Sequence, residues 1–382
     1  MTSRRKIILV GLGALTVVAL TVVTLMSRNS QREPKEHRIG VVLSLTGRGG
    51  TFGQRALNGM QLAVDEINAT EPFRSRPIRL FVEDSRSSAP QALSAFRKLI
   101  DVDHASVVIG FVLSDEVLTC APVANERRVV VLSTAAGSDQ IKDAGDYVFR
   151  NRESASLQAE SIARASLQRF GFREVAILHS NAANGISYRD SFRDALQRLG
   201  GTVPLAVGYN EGKTDYRAEI ERVHARSPRA VYIAGLDHEL GLILKQAREV
   251  GFAPQFFSSA GAISQQLLEI AGAGAEGLVS GSAPFNVESD DARVRSFATA
   301  FRTRFGEAPD FIAANSYDAV HILAEIFKSG TTDSEGIKTA LYAIRDFPGV
   351  GGSTTFDSYG EVTKPIGLVV VRNGRFAPLE GP

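Results

Sequence analysis

Ser114, His179 and Asp237 each stand just past a short apolar run, where a strand would hand over to a helix or loop and a polar side chain can meet a solute. Ser114 follows the run 107–112 and opens the helical pattern of 115–125. Its hydroxyl and the free N–H groups of a first helical turn could receive a carboxylate. The triplet Ser114-Asp115-Glu116 also reads as an ordinary helix cap whose acids complement the dipole, and those charges would oppose an anion. Asp237, just past the run 230–234, offers a carboxylate to a cation or an amide, or else caps the helix that follows it. His179, at the end of the run 175–178, could hydrogen-bond a solute or serve the fold alone. Phe52, in a glycine-rich stretch at 46–54, carries a ring whose exposure costs about 25 cal/mol per Å², so it closes on something or packs against its own domain.

These residue types bind; they do not make bonds. No serine lies in G-x-S-x-G, and the six histidines show neither H-x-x-x-H nor H-E-x-x-H spacing. The single cysteine, Cys120, excludes an intramolecular disulfide and a thiolate-rich zinc site, and reads as a small buried hydrophobe. The string Gly272-Ala273-Gly274-Ala275-Glu276-Gly277 matches G-x-G-x-x-G but follows a helical run and precedes a strand. No helix N-terminus would therefore meet a pyrophosphate. The expectation is no enzyme, no metal and no cofactor. With Lys+Arg 43 against Asp+Glu 42 over 382 residues, the chain lacks the clustered cations that nucleic acid requires, so no nucleic-acid partner is expected.

The elements that position these residues alternate. Strand patterns at 39–43, 78–82, 107–110 and 129–132 are separated by helical patterns at 56–68, 90–100 and 115–125. The order then repeats: strands at 175–178, 203–207, 230–234 and 255–257, helices at 188–199, 216–225 and 239–249. The stretch 278–382 adds a strand, helices at 292–305, 316–328 and 334–344, and a closing hairpin. The fold class is α/β, with two doubly wound Rossmann-like lobes joined by a multi-strand hinge. Loops at the carboxyl ends of both sheets would face a shared crevice. Ahead of the lobes, Arg4, Arg5 and Lys6 precede an uncharged stretch at 7–26, long enough to span a bilayer as a hydrophobic helix. It reads as a cleaved signal peptide or as a retained membrane anchor, with the remainder on the periplasmic or extracellular face.

Several runs resemble, in order, the type 1 periplasmic solute-binding family typified by leucine/isoleucine/valine-binding proteins. They are Leu45-Thr46-Gly47, Gly53, Gly59 and Leu62-Ala63-Val64-Asp65-Glu66-Ile67-Asn68; Val82-Glu83-Asp84; Pro90-Gln91-Ala92; Val148-Phe149-Arg150; Phe347-Pro348-Gly349-Val350-Gly351-Gly352; and Asn373-Gly374-Arg375-Phe376. The resemblance implies a leader at 1–27, a tether at 28–37, a first lobe from 38–153 and 284–347, and a second from 154–283 and 348–382. It implies a ligand-contacting serine at Ser114, a ring over the solute at Phe52, and backbone contacts at Ala135 and Ala136, which otherwise read as part of a tight turn. Gly137 stands where a threonine often helps, Asn184 where a tyrosine often binds, and Ala260 where amino-acid binders often carry an acid. The amino-acid signature is thus incomplete, with His179 and Asp237 as the second-lobe candidates beside Asn184. The implied function is closure on a small polar solute, an amino acid, amide or small carboxylate, for presentation to the membrane permease of an ABC importer. A membrane-anchored sensor of ligand is the alternative, and a monomer in solution is expected.

Overall fold

Near-continuous apolar runs bury both faces of the central strands, and the chain builds two such sheets. The computed structural model describes residues 36–379; the expected leader or anchor at 7–26, and nearly all of the tether, lie outside the described residues. Among the described residues no helix is long and apolar enough to cross a membrane.

The first lobe runs β1 (His37–Leu43), α1 (Gly50–Asn68), β2 (Ile78–Asp84), α2 (Ala89–Asp101), β3 (Val107–Gly110), α3 (Ser114–Arg127), β4 (Val130–Ser133) and β5 (Val148–Arg150). Its five strands are parallel in the order β2-β1-β3-β4-β5. Ile39, Val41 and Leu43 pack on α1, while Val42 between them joins Val108, Phe96 and Cys120 beneath α2 and α3. Cys120 is fully buried, and burial pushes its thiol up to about 12.

The second lobe runs α4 (Ala155–Arg164), β6 (Ala176–Ser180), α5 (Ala183–Arg198), β7 (Ala206–Tyr209), α6 (Arg217–His224), β8 (Ala230–Ala234), α7 (Asp237–Glu249), β9 (Gln255–Ser258), α8 (Gln265–Ala271) and β10 (Val279–Ser282). The chain then returns to the first lobe for α9 (Ala292–Phe305), α10 (Phe311–Lys328), α11 (Ser334–Ala343) and the hairpin β11 (Phe347–Gly349) and β12 (Gly352–Thr354). It ends in the second sheet with β13 (Gly367–Arg372) and β14 (Arg375–Pro378), in the order β14-β13-β10-β9-β8-β6-β7. The pairings of β13 with β10 and of β14 with β13 are antiparallel.

Three differences from the expected elements have physical causes. The stretch 46–54 is not all loop: α1 starts at Gly50, and its glycines serve packing, since a Cβ on Gly53 would lie 2.0 Å from the Ser44 carbonyl oxygen. α10 starts at 311 rather than 316 because Asp310 caps it, its Oδ1 accepting from the N–H groups of Ile312 and Ala313 at 3.0 Å each. The boundary expected at 348 falls later in packing terms. Phe356 and Val362 are buried in the first-lobe core, and pairing with the second sheet begins only at Gly367.

Among the described residues the chain therefore crosses between lobes three times, at 151–154, 283–291 and 363–366. Buried polar contacts knit the first and third crossings. Just ahead of both, at the end of β5, Arg150 N–H donates to the Gly360 carbonyl at 2.9 Å, and its guanidinium pairs with Glu361. Lys364 Nζ donates to Asn151 Oδ1 at 3.0 Å and to the Gly351 carbonyl at 3.2 Å.

Candidate functional site

Each sheet has one place where neighbouring strands send their chains to opposite faces: β1 and β3 in the first, β6 and β8 in the second. Open α/β sheets bind ligands at such a point. A cavity lies where the loops behind these four strands meet. Its wall is Arg48 behind β1; Val112, Leu113, Ser114 and Asp115 behind β3; Ala135 behind β4; and Arg152 of the first crossing. The second lobe supplies Ala182 and Asn184 behind β6, Glu211 behind β7 and Leu236 behind β8. The empty volume, mouth included, is about 310 Å³. The space enclosed away from the mouth is only about 20 Å³, far below the roughly 300–1,000 Å³ usual for small-molecule sites, so the two lobes stand closed on one another with room for little more than a water.

On the first-lobe side, Ser114 is the first residue of α3 and not its cap. Leu113, with extended backbone, holds the cap position and its side chain makes no capping bond. The Ser114 hydroxyl oxygen accepts from the Ser138 N–H at 3.1 Å, which leaves its O–H to donate into the cavity. The two acids expected to oppose an anion are otherwise engaged. Glu116 is fully buried, accepting from the hydroxyls of Ser44 at 2.8 Å and Ser85 at 2.5 Å, and burial raises its carboxyl above the usual range. Asp115 Oδ2 takes Arg48 Nη2 at 3.4 Å, and its Oδ1 accepts from the Ala183 N–H of the second lobe at 3.3 Å.

Arg48 also forms an ion pair with Glu211 of the second lobe, which accepts from Ser180 Oγ at 2.6 Å. Further bonds cross beside the cavity: Asp139 N–H to Ser187 Oγ at 2.8 Å, and Thr51 Oγ1 to Gln266 Oε1 at 3.2 Å. Arg152, 6% exposed, donates from Nη1 to the Ala135 carbonyl and from Nη2 to the Tyr188 hydroxyl at 3.3 Å. Its Cζ lies 5.1 Å from the centre of the Phe311 ring, and its Nε–H has no partner. Asn184 stands in the first turn of α5 with its Oδ1 unpartnered. Gly137 permits this approach, because a Cβ there would lie 3.0 Å from both Asn184 Oδ1 and the Tyr188 hydroxyl.

Of the seven expected contacts, Ser114, Ala135 and Asn184 line the cavity. The other four do not. Phe52 lies on the buried face of α1, packed into the first-lobe core, which is the alternative the sequence left open. Ala136 turns into the opposite core beside Val131 and Ile141, its N–H donating to Ser133 Oγ at 3.2 Å. His179 is buried within β6 with its Nδ1 2.9 Å from the Ser180 carbonyl oxygen, and burial lowers its pKa. Asp237, also first in its helix, is 2% exposed; its Oδ1 accepts from the His238 N–H and its Oδ2 is unpartnered. Burial raises its carboxyl above the usual range. Ala260, the position of the missing acid, is buried with its N–H on Gln158 Oε1 at 3.0 Å.

Sequence reasoning did not single out Arg48, Arg152, Glu211 or Leu236. Arg48 and Arg152 carried a signal: a cation among glycines directly behind a strand, and the polar run Arg150-Asn151-Arg152-Glu153 at a lobe crossing.

A family model described as periplasmic binding protein matches residues 36–375. The chain is 27% identical over 331 residues to the Leu/Ile/Val-binding protein homolog 1 of Brucella suis biovar 1, covering 86% of this chain and 88% of the relative. Among solved structures it is similar to the leucine-binding protein LivK of Thermotoga maritima, with a TM-score of 0.84, 26% identity, and 90% of this chain and 97% of that one covered. The branched-chain amino acid transporter substrate-binding protein LivJ of Streptococcus pneumoniae, solved with isoleucine, gives a TM-score of 0.83 and 26% identity. The alignment covers 90% of this chain and 98% of that one.

Proposed function

From the premise that this chain belongs to the periplasmic binding protein family, we propose that it is an extracytoplasmic solute-binding protein that closes on a small polar solute and presents it to an ABC-type importer. The solute is an amino acid, an amide or a small carboxylate. The observation that carries this reading is the cavity at the strand-switch points of both sheets, walled by both lobes and bridged by a triple crossing. Relatives named as Leu/Ile/Val-binding proteins, and the LivJ complex with isoleucine, support the ligand class.

The mechanism follows from which lobe supplies which contact. The Ser114 hydroxyl and the turn at Ala135 dock the solute on the first lobe. Asn184, Ala182 and Leu236 then complete the cage from the second, so the closed state gains contacts that the open state lacks. That differential is what a permease reads. Export is supported by the uncharged segment 7–26 behind three basic residues, as a cleaved signal or a retained anchor. Uptake of labelled solute by cells lacking the gene tests the reading. Uptake of the solute that the purified protein binds falls, and returns with the gene; unchanged uptake would contradict import and favour a sensory role.

A further inference from the structure

We propose that the crevice selects a small acid lacking an α-ammonium group, and that the Arg152 guanidinium receives its carboxylate. The proposal rests on the solute-binding reading above and narrows its ligand class.

Arg152 is a buried cation that forms no ion pair among the described residues. Its three visible contacts are a carbonyl, a phenol and the face of an aromatic ring, all neutral. Its Nε–H is left without a partner beside the cavity that the side chain lines. Glu153, next in the chain and fully buried, forms no ion pair with it; both Glu153 carboxylate oxygens lack a hydrogen-bond partner, and its charge also acts on the buried ammonium of Lys364 in the third crossing. An unpaired buried charge is costly, and an incoming carboxylate relieves that cost while gaining charge-assisted bonds. The Ser114 O–H, facing the same cavity, supplies a second donor.

An ammonium finds no such partner. Both acids in the wall, Asp115 and Glu211, are already engaged by Arg48. The Ala135 carbonyl, the backbone acceptor behind β4, is occupied by Arg152. Asp237 is buried behind Leu236 and does not line the cavity. The unpartnered side-chain acceptor in the wall, Asn184 Oδ1, is neutral and suits a hydroxyl or an amide N–H. An α-ammonium would also sit close to the Arg152 charge that holds its own carboxylate.

The test is calorimetry of the full-length protein with matched triplets of acid, amino acid and amide on three skeletons. These are propanoate, alanine and propanamide; 4-methylpentanoate, leucine and 4-methylpentanamide; and 3-phenylpropanoate, phenylalanine and 3-phenylpropanamide. In whichever triplet binds, the acid binds at least about tenfold more tightly than its two counterparts, the size of one charged hydrogen bond. Arg152→Gln abolishes that preference and Arg152→Lys keeps part of it. An amino acid that equals or outbinds its acid overturns the proposal and leaves the solute-binding reading standing, as does an acid preference that survives Arg152→Gln. Silence from all nine compounds contradicts the solute-binding reading itself and the proposal with it. Melting of each solute-free variant reports folding; if Arg152→Gln does not fold, the wild-type triplets and Arg152→Lys decide.

Discussion

Arg48 and Glu211 form an ion pair across the crevice, joining the loop behind β1 of one lobe to the loop behind β7 of the other. Asp115 on the first lobe and Ser180 on the second hold the two partners from behind. The pair is only partly exposed, 24% and 13% for the two side chains, and it exists only while the lobes are together.

Breaking that pair loosens closure. Arg48→Ala or Glu211→Gln costs the closed state about 1 kcal/mol, a roughly fivefold loss of solute affinity, and the double variant is little worse than either single one. Calorimetry measures the affinities, and solution scattering reports a larger radius of gyration for the variants. Additive losses would show that the two residues act separately.

Gly137 holds open the space that Asn184 and Tyr188 fill from the second lobe. Gly137→Ala places a Cβ 3.0 Å from both of their polar atoms, so one side must give. Overpacking of this kind costs about 1–3 kcal/mol, and here it falls on the closed state. Solute affinity drops while the melting of the solute-free protein shifts little; the reverse pattern would place the strain inside the first lobe.

Gly53→Ala acts on the fold instead. Its Cβ would sit against the Ser44 carbonyl at 2.0 Å, closer than any relaxation of a side chain can relieve, because the neighbour is backbone. The start of α1 must shift, at a cost of about 2–3 kcal/mol in urea unfolding. A neutral result would mean that the helix starts later than residue 53.

His321 makes stability depend on pH. Burial pushes its pKa from 6.5 to about 4, its Nε2 has no partner, and it packs against the Tyr317 ring with Glu325 and Lys328 nearby. The unfolded chain therefore takes up the proton first as pH falls. The stability this group contributes is complete above about pH 6.5 and is lost progressively toward pH 4, by about 2–3 kcal/mol. Asp318, raised to about 6 by burial, has the opposite sign over part of that window, since protonation there favours the folded state. The difference between His321→Gln and wild type isolates the histidine: denaturant midpoints of the variant fall less steeply between pH 6.5 and 4. Parallel curves would contradict the assignment.

The alternation of elements was legible because continuous apolar runs in strands such as Val41-Val42-Leu43 and helical spacing in α1 leave plain patterns in the chain. Glycine misled where it serves packing rather than turning, which is why the stretch 46–54 read as loop and Phe52 as a loop residue. The spacing Phe52, Ala56, Met60, Ala63, Ile67 is that of one buried helix face. The place of Ser114 in the cavity wall was legible because loops at the carboxyl ends of strands in open α/β sheets face a crevice. Asp237 obeyed the same rule, but its side chain is buried away from the cavity wall, which no spacing encodes. Arg152 escaped because a cation in a crossing segment has no periodicity, and only the three-dimensional fold shows that it is buried at the cavity without an ion pair among the described residues.

The central claim is that one solute is gripped by both lobes at this cavity. Calorimetry of Ser114→Ala and Asn184→Ala, with the tightest binder from a panel of amino acids, amides and small carboxylates, tests it most directly. Each variant should weaken binding about tenfold, with the solute-free melting temperature close to wild type. Wild-type affinity in either variant would contradict a grip by both lobes at this crevice.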